Sequence, residues 1–378
     1  MDKKKSIRIL SYQNAQNFGA LLQAYGLQLT FKQLGFVDVK FLNYNPKYLS
    51  DRYLVFKWRT LVPSSINPKH IIGHYINLPF SILNQIRRNY KLNLSRKRLI
   101  KQTSKELHTI DDIEGINCDC LVCGSDQIWS TWLTGSPDEV FYAGGKYNGK
   151  PYSFSYAPST ELSTFENEQF VETIKCYLDN FDSISVREES VQTILKKLTG
   201  KDISLCVDPT ILCGTEAYDE ISVQNEIGKK YILVYAYNNK DTLIQNIIKT
   251  IPNYHDFEIH YISFVCSDFR NMFSHTFHAE ISVEQFVSLF KYADYVVTNS
   301  FHGLAFSLLF QKDFVVAYEQ GKSARVESLL KQIGRLDKLV KFANDAKWEK
   351  MDYTDINKKL QQIRNNSRDF IIRNLSLI

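Results

Sequence analysis

The sequence lacks the long apolar segments that mark membrane-spanning and secreted proteins. No run of about 18 uninterrupted apolar residues occurs in the 378 residues, which argues against an ordinary transmembrane helix. The charged start Met1-Asp-Lys-Lys-Lys5 is not followed by the apolar core of a signal peptide. We therefore expect a cytoplasmic protein.

Cysteine is scarce and unsuited to a disulfide framework. The seven cysteines are scattered through apolar strand-like segments, which favours reduced thiols. Cys118, Cys120 and Cys123 lie close in sequence, but strand alternation is expected to turn Cys123 away from the other two. Since no histidine or second cysteine pair lies nearby, we predict buried free thiols and no metal site.

Positive charge is concentrated in one segment. The net charge is +5, yet residues 51–101 contain eleven Lys or Arg and one acid, Asp51, a formal charge of +10. Aromatic and aliphatic residues alternate with these cations. The mixture suits either a solvated basic helical insertion or a surface that binds an anionic membrane, and the sequence leaves both open. Nucleic-acid binding is not predicted, because no known motif for it accompanies the local charge.

The alternation of strand and helix patterns predicts two α/β halves that face each other across a cleft. The length exceeds that of a usual single core, and a 44% share of hydrophobic residues can fill two. Strands are predicted at 7–11, 37–42, 118–123, 152–156, 183–186 and 204–207, and then at 231–237, 257–264, 295–298 and 314–318. Helices are predicted at 21–31, 242–251, 283–292, 304–310, 324–333 and from 355 onward.

The segment Tyr295-Val-Val-Thr-Asn-Ser-Phe-His-Gly303 combines an apolar strand, a polar turn and the start of a helix. His302 would lie near a helix N-terminus, where free backbone N–H groups and the helix dipole favour a bound anion. The residues themselves therefore predict an anion site beside a histidine.

Two further strand ends carry hydrogen-bonding side chains. Gly124-Ser-Asp-Gln-Ile-Trp129 offers a hydroxyl, a carboxylate, an amide and an aromatic face, as a sugar requires, although a helix cap and a core tryptophan explain it nearly as well. The loop from Asn14 to Ala20 can present backbone or amide groups to a polar ligand, or Asn17 can simply cap a helix. It does not match the phosphate-binding pattern G-x-x-x-x-G-K-[ST].

An arginine and an aspartate end two other strands. Arg187, in Ser185-Val-Arg-Glu188, can bind a carboxylate or phosphate through two parallel hydrogen bonds. It can equally be a structural partner of Glu188 or of Asp208, which lies in Val207-Asp-Pro-Thr210. The sequence alone does not choose between these roles.

Taken in order, five motifs resemble the polysaccharide pyruvyl transferase family. They are Asn17-Phe-Gly19 with Leu22-Gln-Ala24, Cys123-Gly-Ser-Asp-Gln-Ile-Trp129, Ser185-Val-Arg-Glu188, Val207-Asp-Pro-Thr210 and Ala293-Asp-Tyr-Val-Val-Thr-Asn-Ser-Phe-His-Gly303. The resemblance runs from about residue 7 to residue 334. Two departures stand out: the segment 51–101 matches no family motif, and Ser300-Phe-His302 stands where some members have Arg-Leu-His.

The resemblance implies transfer of a carboxyethylidene (pyruvyl) group from phosphoenolpyruvate to two hydroxyls of one sugar, with no cofactor or metal. It also implies an α/β fold with two Rossmann-like domains facing a cleft, similar to the GT-B glycosyltransferases. We expect an acceptor-side domain at 1–215 with the insertion 51–101, a donor-side domain at 216–350, and a helix at 351–378 that packs across both.

The expected site follows from the same resemblance. His302, Arg187 and Asp126 are the expected catalytic residues, with His302 supplying a proton and Asp126 orienting or deprotonating an acceptor hydroxyl. Donor binding is expected at Arg187, Asn299, Ser300, Phe301, Gly303 and Asp208. Acceptor binding is expected at Asn17, Gly19, Ser125, Gln127 and Trp129.

The expected setting is the assembly of a bacterial capsule or exopolysaccharide. The acceptor would be a sugar on a polyprenyl-linked oligosaccharide, and the segment 51–101 could hold the enzyme at the inner face of the plasma membrane. Two alternatives remain open: a GT-B glycosyltransferase that uses a nucleotide sugar, and a non-catalytic scaffold that binds carbohydrate or membrane.

Overall fold

The computed structural model describes residues 4–54, 62, 68–224, 227–237, 241–262, 276–321 and 323–378. Its first half contains a five-stranded parallel sheet in the order β3-β2-β1-β4-β5, with a smaller parallel pair, β6 and β7, beyond it. The elements are β1 Ile7–Leu10, α1 Phe18–Gln33, β2 Val39–Tyr44, α2 Lys47–Arg52, α3 Pro68–Leu99, β3 Gln102–Leu107, β4 Cys120–Asp126, α4 Thr131–Thr134, β5 Tyr152–Pro158, α5 Glu168–Tyr177, β6 Ile184–Val186, α6 Glu189–Thr199, β7 Ile203–Leu205, α7 Pro209–Leu212 and α8 Glu216–Asp219.

The second half contains a six-stranded sheet, again parallel throughout, in the order β10-β9-β8-β11-β12-β13. Its elements are β8 Tyr231–Tyr235, α9 Thr242–Lys249, β9 Glu258–Ile262, β10 Phe277–His278, α10 Val283–Tyr292, β11 Tyr295–Thr298, α11 Phe301–Leu309, β12 Asp313–Ala317, α12 Ala324–Gln332, β13 Leu339–Val340 and α13 Tyr353–Leu375. Counted from its first strand, each sheet follows the order 3-2-1-4-5 of a dinucleotide-binding fold. The predicted α/β architecture of two Rossmann-like halves is confirmed.

Neighbouring side chains of a central strand enter different cores, because both faces of the strand are covered. Cys120 and Val122 join the core that spans both halves, whereas Leu121 and Cys123 join a core confined to the first half. Cys118 lies with Cys123, not with Cys120 as the sequence predicted, because β4 and its alternation begin only at Cys120. All three are buried free thiols, as expected.

The basic insertion forms a long helix that contacts the opposite half. In α3, which has 32 residues, Ser95 Oγ donates to Glu284 Oε2 of α10 at 2.9 Å, and Arg98 pairs with the same carboxylate. Arg87 and Glu280 form a further ion pair. Residues 68–99 of the segment 51–101 are therefore helical, which agrees with both interpretations of the segment, while residues 55–61 and 63–67 lie outside the described part. No helix in that part is both long and apolar enough to cross a membrane.

The C-terminal helix α13 contacts both halves of the molecule. Ser367 Oγ accepts a hydrogen bond from the Val207 backbone N–H at 2.9 Å, and Tyr152 Oη donates to Asn374 Oδ1 at 2.9 Å. At the other end, Tyr353 Oη donates to the Lys312 carbonyl at 2.6 Å. The limits 1–215, 216–350 and 351–378 nevertheless stay a prediction.

Candidate functional site

Polar loops follow the strands at the point where the strand order of each sheet reverses. This point lies between β1 and β4 in the first sheet and between β8 and β11 in the second. Open parallel sheets bind ligands outside the carboxyl ends of their strands at such points. The ends of β1, β4 and β11, with the turns and helix starts that follow them, hold most of the predicted site residues, so the topology assembles positions that are far apart in sequence.

The first turn of α1 touches the predicted catalytic histidine. Asn17 caps this helix, and its Oδ1 accepts a hydrogen bond from the Ala20 backbone N–H at 3.1 Å. A Cβ atom placed on Gly19 would lie 2.1 Å from His302 Nδ1. Only a glycine allows the two halves to approach this closely. Gly19 therefore lies against His302 and serves the fit between the halves, while Asn17 caps the same helix two residues earlier.

His302 is a buried imidazole with a free nitrogen. It lies near a helix N-terminus, as the sequence predicted, although α11 begins at Phe301 and not at Leu304, and it is 7% exposed. Its Nε2 has no hydrogen-bond partner and lies 4.0 Å from Asp208 Oδ1. Burial lowers the pKa of His302, and the charges of Asp208 and Asp126 offset only part of this shift. The ring is thus neutral at pH 7 and can take up a proton when negative charge arrives.

Arg187 joins the ends of two strands to α11. Its Nη1 donates to Asp208 Oδ2 at 2.5 Å and its Nε to Glu188 Oε1 at 3.2 Å. The guanidinium carbon lies 4.5 Å from the centre of the Phe301 ring. Nη2 is buried and has no partner, so the group keeps donors for a bound anion. Arg187 has both the structural and the ligand-binding capacity that the sequence left open.

The pKa values of the two carboxyls around Arg187 are shifted in opposite directions. For Asp208, burial alone would raise the pKa, but Arg187, His302 and hydrogen bonds from Thr210 outweigh it and lower the pKa. For Glu188, burial dominates and raises the pKa, although Arg187 opposes it. Asp208 is therefore the firm counter-ion of Arg187, and Glu188 holds its charge less strongly.

Asp126 and Gln127 lie half-buried at the end of β4, where the site opens. Asp126 has a left-handed backbone, with φ of 68°, and its Oδ1 accepts a hydrogen bond from the Gln127 N–H at 2.9 Å. Burial lowers the pKa of Arg187, whereas the carboxylates of Glu188 and Asp208 raise it, and the charge of Asp126 raises it further. Asp126 therefore lies within electrostatic reach of both other predicted catalytic residues.

Two predicted acceptor contacts lie in the interior instead. Ser125 is fully buried, and its Oγ donates to the Ala157 carbonyl at 2.8 Å. Trp129 is stacked on Tyr142 with 4.8 Å between ring centroids, and its Nε1 donates to the Phe141 carbonyl at 2.9 Å. The end of a central strand is covered on both faces, which leaves neither side chain for contact with a sugar. Here the structure corrects the sequence interpretation.

The remaining predicted donor residues shape the turn before α11. Asn299 bridges Tyr237 and Glu319: its Oδ1 accepts from the Tyr237 N–H and its Nδ2 donates to Glu319, both at 3.1 Å. Ser300 is buried and donates its backbone N–H to Thr298 Oγ1 at 3.0 Å. A Cβ on Gly303 would lie 2.1 Å from the same oxygen. These contacts hold the nine-residue helix with its N-terminus at the site, a favourable position for an anion.

Two arginines outside the five motifs reach the same region. Arg325, in the first turn of α12, is half-buried. Burial is the largest cause of the shifted pKa values of His302 and Glu188, and the nearby charge of Arg325 lowers both. Arg88 of α3 is 9% exposed, and its charge reaches Tyr235 at the end of β8. The sequence shows no signal for these roles, since both residues lie within helices and away from strand ends.

The histidine pair of the second sheet lies apart from this site. It consists of His260 and His278, and His278 Nε2 lies 2.8 Å from His260 Nδ1. The parallel pairing of β9 and β10 brings these rings together. Among the residues that the structure describes, no group of three or more His, Cys, Asp or Glu side chains is arranged to hold a metal ion.

Two doubly wound sheets with a polar site between their switch points define a GT-B-like α/β protein. The family model for polysaccharide pyruvyl transferase matches residues 17–319, and the chain belongs to this family. The resemblance of the five motifs is thereby confirmed. No curated protein matches the chain significantly.

Solved structures match the chain at very low sequence identity. The UDP-GlcNAc 2-epimerase of Neisseria meningitidis, bound to UDP-GlcNAc, is 9% identical with a TM-score of 0.51, covering 99% of this chain and 100% of that one. The epimerase of Methanocaldococcus jannaschii is 11% identical with a TM-score of 0.49, at 99% and 100% coverage. The Streptomyces nogalater glycosyltransferase SnogD is 9% identical with a TM-score of 0.41, at 99% coverage of both chains.

Proposed function

We propose that the protein transfers the carboxyethylidene group of phosphoenolpyruvate to two hydroxyls of one sugar in a bacterial surface polysaccharide precursor. One observation carries the proposal. Arg187 and His302 each direct a buried, partner-free nitrogen into the region where the two halves meet, at the N-terminus of α11. A ligand with several negative charges and a protonatable carbon can use both groups.

The cations around the site suit phosphoenolpyruvate, which carries a phosphate and a carboxylate. Arg187 offers Nη2, Arg325 adds a half-buried positive charge, and the helix terminus offers backbone N–H groups. Ser300 stands where some family members have arginine, and Arg325 supplies a cation from another helix. Phosphoenolpyruvate is consumed as a substrate, and the proposed reaction uses no resident cofactor.

The proposed chemistry begins with protonation of the donor. The methylene carbon of phosphoenolpyruvate takes a proton and becomes a methyl group, leaving an oxocarbenium centre on the neighbouring carbon. One sugar hydroxyl attacks this centre and loses its proton. The bond from that carbon to the phosphate oxygen then breaks, and phosphate leaves with the electron pair. The second hydroxyl attacks and loses its proton, which closes the cyclic ketal.

His302 is the proposed source of the first proton. Its burial favours the neutral ring, but the negative charges of a bound donor favour the imidazolium. The ring would therefore take up a proton as the donor binds and deliver it to the methylene carbon. Asp126 is the proposed group that orients or deprotonates the first acceptor hydroxyl, because it lies half-buried where the site opens.

Phosphate release tests the reaction. With a pool of lipid-linked oligosaccharides, the wild-type protein should release phosphate from phosphoenolpyruvate, and mass spectrometry should detect the pyruvyl group on an oligosaccharide. His302→Gln and Arg187→Lys should each lower turnover at least 10²-fold, while the exposed His255→Gln should not change it. Full turnover in either site variant would refute the assigned roles.

Ligand screening separates the alternatives. Thermal stabilisation by phosphoenolpyruvate supports the proposal, because a ligand that binds the native state stabilises it. Stabilisation by UDP or GDP alone would favour a nucleotide-sugar glycosyltransferase. Saccharide or vesicle binding without any turnover would favour a non-catalytic scaffold.

A lipid-linked acceptor requires access to a membrane surface, and one side of α3 has the composition of a membrane-binding face. Its residues Ile72, Ile76, Leu83, Ile86, Tyr90 and Leu94 are 39% to 64% exposed and recur at helical spacing along one side. The helix contains seven Lys or Arg and no acid. An exposed apolar stripe on a cationic helix suits the surface of an anionic bilayer. We therefore propose that this α3 face binds the inner leaflet of the plasma membrane.

Vesicle sedimentation tests the α3 face. The protein should sediment with vesicles that contain phosphatidylglycerol, less so at high salt and not with neutral vesicles. The triple variant Ile76→Ser, Leu83→Ser and Tyr90→Ser should stay in the supernatant. Phe342→Ser, which removes an equally exposed aromatic from another surface, is the matched control. Equal sedimentation of the triple variant and the wild type would refute the assignment.

A further inference from the structure

An amide-rich cavity beside the proposed catalytic residues is assigned no role by the family motifs. The cavity has a volume of about 350 Å³, and seven of its twelve lining residues are Asn or Gln. Gln16 comes from the loop after β1, Asn89, Asn93 and Arg96 from α3, and Gln102 from β3. With Asn43 of β2 and Ser50 of α2, these segments of the first half build one polar pocket of a size that suits a small ligand.

The pocket has hydrogen-bond acceptors to spare. Oε1 of Gln16, Oδ1 of Asn89 and Oε1 of Gln102 are buried without a donor. A buried acceptor that is left without a donor destabilises the protein, because its lost contacts with water are not replaced. Three such atoms in one wall indicate that a ligand with hydroxyl donors completes them.

The rest of the wall is arranged by bonds among its own side chains. Gln16 Nε2 and Arg96 Nη2 both donate to Asn93 Oδ1, at 2.8 and 2.9 Å. Arg96 Nη1 also donates to the carbonyl of Asn14 at 3.1 Å. These bonds pre-organise the amides before any ligand arrives, which lowers the entropic cost of binding.

The charge of the pocket selects against strongly anionic ligands. Arg96 and Glu106 are its charged residues, one of each sign, so the lining is formally neutral. Neutral amides suit ligand hydroxyls, which both donate and accept hydrogen bonds. Tyr53 adds the aromatic surface that a sugar ring needs and that the buried Trp129 does not provide.

The pocket adjoins the proposed reaction site. Gln16 directly precedes Asn17, the cap of the helix that touches His302. Burial raises the pKa of Tyr53 to about 12, and the charge of Asp126 contributes to this shift. The cavity wall and the proposed acceptor-activating carboxylate are therefore within electrostatic reach of each other.

We propose that this amide pocket, lined by Gln16, Asn89, Asn93, Arg96, Gln102 and Tyr53, binds a neutral sugar residue of the acceptor oligosaccharide. The inference rests on the proposed function, because it assigns the acceptor of that same reaction. It places recognition of the oligosaccharide on the insertion and the first sheet, where Gln16 directly precedes the cap of the helix that lies against His302.

Saccharide binding to the full-length protein tests the pocket without any chemistry. Saturation-transfer NMR would use the methyl glycosides of glucose, galactose, mannose and N-acetylglucosamine, with their β-1,4-linked disaccharides, in the absence of phosphoenolpyruvate. At least one saccharide should bind the wild type. Asn89→Leu and Gln102→Met should each weaken that saccharide about tenfold by removing a hydrogen-bonding group.

Both variants are expected to fold, since replacing an unpaired buried acceptor by an apolar group of similar shape is nearly neutral. Gln361→Met, on the exposed face of α13, is the matched control and should bind like the wild type. Unchanged binding in both pocket variants, or no saccharide bound by the wild type, would overturn the inference. Thermal stabilisation by phosphoenolpyruvate should persist in both variants. Its absence from the wild type would count against the proposed function, whatever the saccharides do.

Discussion

The substitution Gly19→Ala probes the contact on which the proposed site depends. The new Cβ would lie 2.1 Å from His302 Nδ1, whereas ordinary contact begins at 3.4 Å, so the imidazole must retreat by about 1.3 Å. A misplacement of about 1 Å in a catalytic geometry costs roughly 10²-fold in rate. Overpacking of this kind also destabilises by about 1–3 kcal/mol. We therefore expect turnover to fall by roughly 10²-fold and the free energy of unfolding to fall by about 1–3 kcal/mol.

The matched control is Gly73→Ala. Gly73 also lies within a helix, but a Cβ there meets no atom within 4 Å, so the same substitution should stabilise by about 0.5–1 kcal/mol. Phosphate release gives the rate, and denaturant unfolding gives the stability. In a His302→Ala background the destabilisation by Gly19→Ala should vanish, because the clashing ring is gone. Equal turnover and stability of the two single alanine variants would refute the reasoning.

Three further outcomes follow from burial and charge. Because burial lowers the pKa of His302, the unfolded chain binds more protons than the native state between that pKa and about 6.5. The stability that His302 contributes should therefore be complete above about pH 6.5 and decline below it. Denaturant unfolding of the wild type and His302→Gln from about pH 5 to 8 tests this, and a constant difference between their free energies of unfolding would contradict it. Asp208→Asn removes the closer of the two counter-ions of the buried Arg187 and should cost about 3–5 kcal/mol, so a loss below 1 kcal/mol in denaturant unfolding would disprove the strength of that pair. Trp129→Phe should lower stability and leave the acceptor KM unchanged, whereas a raised acceptor KM at unchanged stability would restore Trp129 as a sugar contact.

Elements with strong local signals were predictable to the residue. The helix Val283–Tyr292 begins with a capping box between Ser282 and Gln285, and Tyr295–Thr298 is a short apolar run with polar neighbours. The strand Gln102–Leu107 was missed because it is a polar edge strand with little apolar content. Edge strands need only one hydrogen-bonded neighbour and one covered face, so their composition resembles that of a loop.

In the candidate site too, some features were predictable from local signals and others were not. Motifs at strand ends indicated His302, Arg187, Asp126 and Asp208, since parallel strands present their carboxyl ends at one edge. Exposure, however, is decided by what packs above each position. The turn that carries Asp126 at the site's opening also carries Trp129 into the core. No local pattern distinguishes the two.

By itself the sequence determined the family, the two parallel α/β halves and the strand ends where chemistry gathers, because these depend on local periodicity and on ordered motifs. Tertiary structure alone decided that Gly19 lies against His302, that Arg325 and Arg88 reach the site, and that α3 supplies amides to a pocket. Such contacts join residues separated by tens to hundreds of positions. They depend on how the packed elements meet, and no single segment of the chain encodes that geometry.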